Sequence, residues 1–251
     1  LYGLYIIGTA GSGKSLLASS LIHWFRMKEQ DAAVINLDPG VITLPYTPDI
    51  DIRDRINIVE LMDKYQLGPN GALIMAADLI AGQVDKLNEE IAELNAEYFI
   101  FDTPGQMELF AFRVSGPFIA NELKIEQKLV LYLFDAPFSS NPLNYVSNMF
   151  LSAAVYNRFL LPQLNILSKM DLLPKNKLRE ILNWSSQPEA LEASVQQKLS
   201  GSTYLLTRDL FNAISRLRLD FSLIACSAKN MDNFVNLHAA IQRVFRGGEE
   251  V

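Results

Sequence analysis

LYGLYIIGTAGSGKSLLASSLIHWFRM, residues 1–27, opens with a run that is apolar on both faces. Such a run suits a strand buried inside a parallel sheet. The run passes into IIGTAGSGKS, where Gly8, Gly13, Lys14 and Ser15 keep the spacing G-x-x-x-x-G-K-[ST]. Beyond it, Leu17, Leu21, Ile22 and Phe25 fall on one face of a helix. Strand, glycine turn and helix in this order form an anion cradle. The backbone N–H groups of Gly11, Ser12, Gly13, Lys14, Ser15 and Leu16 turn towards phosphate, the glycines permit the bend, and the helix N-terminus points at the same charge. Lys14 is expected to reach the β- and γ-phosphates of a nucleotide, and the Ser15 hydroxyl to ligate Mg2+.

The rest of the chain repeats the strand–helix alternation. Residues 32–38, 98–102, 128–135, 163–169 and 221–227 are short apolar runs rich in β-branched or aromatic residues, each ending in a small or polar residue. Helical periodicity fills the segments between them, and 71–94 is predicted as one long amphipathic helix. The expectation is a doubly wound, mostly parallel α/β sheet with helices on both faces. We expect one domain over 1–251, with insertions at about 44–97 and about 174–219, the latter of two or three helices. No repeat or low-complexity tract interrupts it.

Bulk properties narrow the function classes. About half of the 251 residues are hydrophobic, so a large core is available, and the net charge of −6 disfavours direct binding of nucleic acid. One cysteine, Cys226, excludes an internal disulfide and a multi-cysteine zinc site, and suits a reducing, cytoplasmic setting. Apolar runs such as KLVLYLFDAPF fall short of the roughly 20 residues that cross a membrane, and no signal peptide is visible.

Four further motifs sit at strand ends. In YFIFDTPGQ, Asp102 is placed to hold the magnesium, Gly105 to offer its N–H to a γ-phosphate, and Gln106 to orient water. In NLDPG, Asp38 is a candidate magnesium partner or water-positioning group. In NILSKMD, a carboxylate at Asp171 accepts both N1–H and N2–H of guanine, a pair adenine does not offer, while the Lys169 stem lies along the base. In CSAK, Ser227 and Ala228 close the pocket, with the Ala228 N–H directed at guanine O6. GTP and GDP are therefore the expected ligands. QLGPNGALI, residues 66–74, reads on its own as a helix stop and turn.

Together these segments resemble the GPN-loop GTPases, a family of the SIMIBI class of P-loop proteins. The matching residues are GTAGSGKS, NLDPG with LPY and DIDIRD, GPNG, DTPGQME, SKMD and SAK, which span 8 to 229. The resemblance implies a homodimer in which Gly68, Pro69 and Asn70 of one subunit approach the γ-phosphate held by the other. It also implies magnesium, slow GTP hydrolysis, a nucleotide-controlled switch between open and closed dimers, and a protein client such as a polymerase under assembly. Eukaryotic members often carry a C-terminal tail, and this sequence ends soon after its last predicted helix. That suggests a minimal, archaeal-like member or a trimmed chain.

The sequence departs from the common GTPase pattern at Ser168, where many GTPases have Asn, whose amide could hydrogen-bond the purine and the P-loop. No arginine finger stands at a recognisable position; Arg53, Arg55 and Arg113 lie near switch-like segments but read more readily as surface or ion-pair residues, and Glu108 is a third candidate for positioning water. Phe110, Phe112, Phe118, Met149 and Phe150 form either an apolar dimer face or ordinary core. His23 and His238 have no metal-ligand spacing around them. The rival readings are an ATPase of the same architecture and a nucleotide-binding assembly module whose hydrolysis is incidental.

Overall fold

The opening strand, β1 (Tyr2–Gly8), runs through the middle of one seven-stranded sheet. The computed structural model describes residues 1–198, 201–216 and 219–247. The other strands are β2 (Ala32–Asn36), β3 (Ile50–Asp51), β4 (Tyr98–Asp102), β5 (Gln127–Asp135), β6 (Gln163–Ser168) and β7 (Leu223–Ala225). Their order is β3-β2-β4-β1-β5-β6-β7 and every pairing between them is parallel. The two-residue β3 is the strand that apolar patterning does not signal, because Ile50–Asp51 is too short to carry a period.

Alternation along β1 explains its apolar character. Leu4 and Ile6 face a core built with α1 (Lys14–Met27) and α12 (Phe234–Phe245), through Leu17, Leu21, Phe25, Leu237 and Ile241. Tyr5 and Ile7 face the opposite core, where Phe99, Phe101, Tyr132 and Phe134 meet the helices of the other layer. Side chains of a strand alternate between faces, so a sheet covered on both sides needs apolar residues at every position.

That other layer holds α2 (Ile58–Tyr65), α3 (Pro69–Ala81), α4 (Val84–Glu93), α5 (Met107–Phe110), α6 (Ser115–Glu122), α7 (Ala136–Ser139) and α8 (Pro142–Phe159). Between β6 and β7 come α9 (Lys175–Ser186), α10 (Pro188–Lys198) and α11 (Gly201–Arg216).

Two helix expectations are corrected. The stretch 71–94 is two helices, broken at Gly82–Gln83, where Gln83 leaves helical geometry at φ −115°, ψ 14°. A glycine inside a helix costs about 1 kcal/mol, so a break there is cheap. It lets α3 bury Ala76, Ala77 and Ile80 while α4 buries Val84, Leu87 and Ile91. The Gly-Pro-Asn triplet is also not the helix stop. Gln66, in the left-handed region at φ 52°, ends α2, whereas Gly68 caps α3 and Pro69 is its first residue. Proline suits that position, because its missing N–H is one that has no partner in the helix anyway.

Candidate active site

The glycine turn after β1 is bent through Gly11 at φ 74° and Gly13 at φ 96°, conformations that only glycine adopts without strain. No side chain caps the N-terminus of α1, so its first N–H groups point into the turn. The Lys14 ammonium donates to the carbonyls of Gly8 (2.9 Å), Thr9 (3.0 Å) and Gly105 (3.3 Å), joining the turn to the loop after β4. Burial lowers its pKa, and the charges of Asp102, Asp38 and Glu108 oppose that shift.

β4 lies beside β1 with Asp102 level with Ile6, so Asp102 ends its strand next to the glycine turn. The Thr103 hydroxyl fixes the exit by donating to Ile6 O at 2.6 Å. Asp102 is 1% exposed. Burial raises its pKa, while the Ser15 hydroxyl, Tyr46 and Lys14 favour the charged form and Asp38 disfavours it. Its Oδ2 accepts the Tyr46 hydroxyl at 2.8 Å, whereas its buried Oδ1 has no partner of good geometry. Burial likewise pushes the Tyr46 phenol up, with the Asp102 charge adding to it. A free buried carboxylate oxygen near a serine hydroxyl fits a small hard cation. Among the described residues no three His, Cys, Asp or Glu cluster as a complete cage. The set therefore fits Mg2+, which takes most of its ligands from phosphates and water.

Asp38 sits across from this pair. Its Oδ1 accepts the Gly40 N–H at 2.9 Å and its Oδ2 the Gly105 N–H at 3.0 Å. Asn36 holds the same turn, accepting the Asp38 N–H and donating to Asp38 O and to Asp51. A cavity of about 130 Å³ lies alongside, bounded by Asp38, Gly40, Gly105, Gln106, and by Leu73 and Ala77 of α3. Gln106 and Glu108 are both exposed at this edge.

A second cavity of about 190 Å³ adjoins the glycine turn, lined among others by Gly13, Leu16, Lys169, Asp171, Cys226 and Ala228. The strand ends at β6 and β7 thus bring the two proposed base-reading segments together. Lys169, left-handed at φ 59°, donates to Gly11 O and pairs with Asp135 at 2.6 Å. Ser168 is buried, and its hydroxyl donates to Ser12 O at 2.8 Å and to Phe134 O at 3.2 Å. The tie to the P-loop expected to vanish with asparagine is therefore kept by the shorter side chain. Ser227 is fully buried and its hydroxyl accepts the Asn230 N–H, while Ala228 O accepts the Ser20 hydroxyl. Burial pushes the Cys226 thiol up to about 12.

The remaining candidates separate. Arg53 pairs with Asp51 at 2.6 Å, Arg55 pairs with Glu90, and Arg113 lies 3.7 Å from Asp78. Each arginine is thus engaged in an ion pair within the chain. Phe110 and Met149 are core, Phe112 and Phe150 pack partly against it, and Phe118 is exposed. His238 bonds Gln30 and His23 is exposed. Sequence reasoning missed Tyr46. LPY marks the segment, but nothing in its pattern shows that a loop residue folds back onto Asp102.

Residues 6–247 match a family model described as a conserved hypothetical ATP binding protein. The GPN-loop GTPase 3 of Kluyveromyces lactis is 32% identical over 98% of this chain and 93% of its own length. The chain belongs to the GPN-loop GTPase family. The GPN-loop GTPase 3 of Saccharomyces cerevisiae is 33% identical over 88% of the chain and 83% of its own length. A crystal structure of a GTPase in apo form from Pyrococcus abyssi superposes with a TM-score of 0.84 at 27% identity, covering 96% of each chain.

The triplet that gives GPN-loop GTPases their name is Gly68, Pro69 and Asn70, all exposed at the start of α3. Asn70 lines neither cavity. Leu73, one helical turn on, does reach the site. A Cβ placed on Gly40 would lie 2.8 Å from it. Within one chain α3 therefore touches the Asp38 loop, while the triplet faces outwards.

Proposed function

We propose that this GPN-loop GTPase hydrolyses GTP at the γ-phosphate, with magnesium, as a homodimer that acts as a nucleotide-controlled switch. The observation that carries the reading is the 190 Å³ cavity beside the P-loop, which joins Asp171, Lys169 and Ala228. Asp171 would accept N1–H and N2–H of guanine, the Lys169 stem and Leu16 would flank the ring, and Ser227 would hold the loop that presents the Ala228 N–H.

The N–H groups of Gly11 to Leu16 and the Lys14 ammonium would hold the phosphates and take up the charge that spreads over the γ-phosphoryl oxygens. Ser15 and Asp102 would hold magnesium, which would supply charge neutralisation at the phosphates. Asp38 is adjacent and already accepts two backbone N–H groups, which favours a positioning role over direct ligation. Attack by water forms a new P–O bond as the bond to the β–γ bridging oxygen breaks, giving GDP and phosphate. Asp38, Gln106 and Glu108 are the groups able to orient that water. Gly105 would turn its N–H from Asp38 to the γ-phosphate.

Asn70 of the partner subunit would complete the site, its amide donating to the γ-phosphate or to the leaving phosphate. A short turn ending in Pro69 loses little freedom on docking, which suits it to that task. We assign the switch to assembly of protein complexes in the cytoplasm, with a protein client. No helix among the described residues is long and apolar enough to cross a membrane. The test is turnover of GTP and of ATP with magnesium by one preparation. Preference for GTP supports the reading. Equal or better use of ATP supports the rival ATPase. Tight GDP binding without turnover supports an assembly module.

A further inference from the structure

We propose that Tyr46 is a positioning residue that decides which oxygen of Asp102 faces the metal. The inference rests on the assignment of magnesium to Ser15 and Asp102 made above. A carboxylate turns readily about its last bond, and the two orientations are nearly equivalent. In this site they are made unequal, because Oδ2 is occupied by the Tyr46 hydroxyl at 2.8 Å and Oδ1 is left buried without a hydrogen bond of good geometry. A tyrosine hydroxyl that donates to one oxygen leaves the other as the ligand.

Tyr46 is brought there by a loop anchored on all sides. Its ring packs against the core cluster that includes Leu17 and Leu21. The neighbouring Pro45 carbonyl accepts the Ser19 hydroxyl at 3.1 Å. Further back, the Arg53 guanidinium donates to Val41 O and Ile42 O and pairs with Asp51, which accepts the Asn36 amide. The 39–46 segment thus meets the metal ligand through the Tyr46 hydroxyl.

The test uses manganese as the probe, titrated into the GDP complex and followed by the electron paramagnetic resonance of the free ion. Tyr46→Phe keeps the ring and removes the hydroxyl. Ser19→Ala loosens the same loop without touching Asp102. We expect Tyr46→Phe to weaken manganese about tenfold or more, with metal-free GDP affinity unchanged, and Ser19→Ala to bind manganese like the wild type. Wild-type affinity in Tyr46→Phe overturns the proposal, as does equal weakening in Ser19→Ala. If the wild-type complex takes up no manganese, the metal assignment itself is wrong and the proposal falls with it.

Discussion

Asp38 Oδ2 accepts the Gly105 backbone N–H at 3.0 Å, so the loop after β2 is fastened to the loop after β4. The proposed reaction asks both groups to do something else: Gly105 to donate to the γ-phosphate and Asp38 to orient water. One exchange of partners does both. The arrival of a γ-phosphate would free the carboxylate at the moment it is needed. Asp38→Ala is expected to lower GTP turnover by about 100-fold or more while GDP still binds. Steady-state turnover with a separate GDP-binding titration measures this. Turnover within a few-fold of wild type would move the role to Gln106 or Glu108.

Base choice rests on Asp171, an exposed carboxylate at the lip of the 190 Å³ cavity. A hydrogen bond to a charged group contributes about 1.5–3 kcal/mol. Asp171→Asn should therefore erode the preference for GTP over ATP by about 10- to 100-fold, measured as a ratio of kcat/KM values. An unchanged ratio would mean that other groups select the base.

Gly116 is a stability probe away from the chemistry. A Cβ there would lie 2.2 Å from the Phe110 carbonyl oxygen, a backbone atom that cannot swing aside. Gly116→Ala should cost about 2 kcal/mol or more, lowering the melting temperature by about 4–8 °C in a calorimetric scan. A melting temperature at the wild-type value would show that the α5–α6 corner is loose.

Cys226 should be chemically silent in the folded protein. Its thiol is buried and pushed up to about 12, so almost no thiolate forms at neutral pH. Iodoacetamide should label it only after unfolding, as followed by intact mass. Rapid labelling of the native protein would mean that the floor of the base cavity opens.

The sheet was legible because parallel strands buried on both faces carry a strong local signal, and LYGLYIIG is that signal at full strength. P-loop residues were legible for a related reason, since the turn, the lysine and the serine act within a few residues of one another. Long-range ties were not. Tyr46 reaches Asp102 across 56 positions and Ser168 reaches Ser12 across 156, and neither bond leaves a trace in local pattern. The break at Gly82 was hidden because apolar residues continue through it. What matters there is the direction of each buried stripe, which only packing sets. The Gly-Pro-Asn triplet was visible as an unusual turn, but the identity of its target came from the family resemblance.

If Asn70 completes the partner's site, two crippled variants should rescue one another when mixed. Lys14→Ala lacks its own phosphate clamp but keeps Asn70; Asn70→Ala keeps the clamp but lacks the donor. Each alone should be nearly inactive as a GTPase. In an equilibrated equimolar mixture half of the dimers are mixed, each with one intact composite site, so activity should recover to roughly a quarter of wild type. A mixture no more active than its components, or an Asn70→Ala protein as active as wild type, would contradict the shared site.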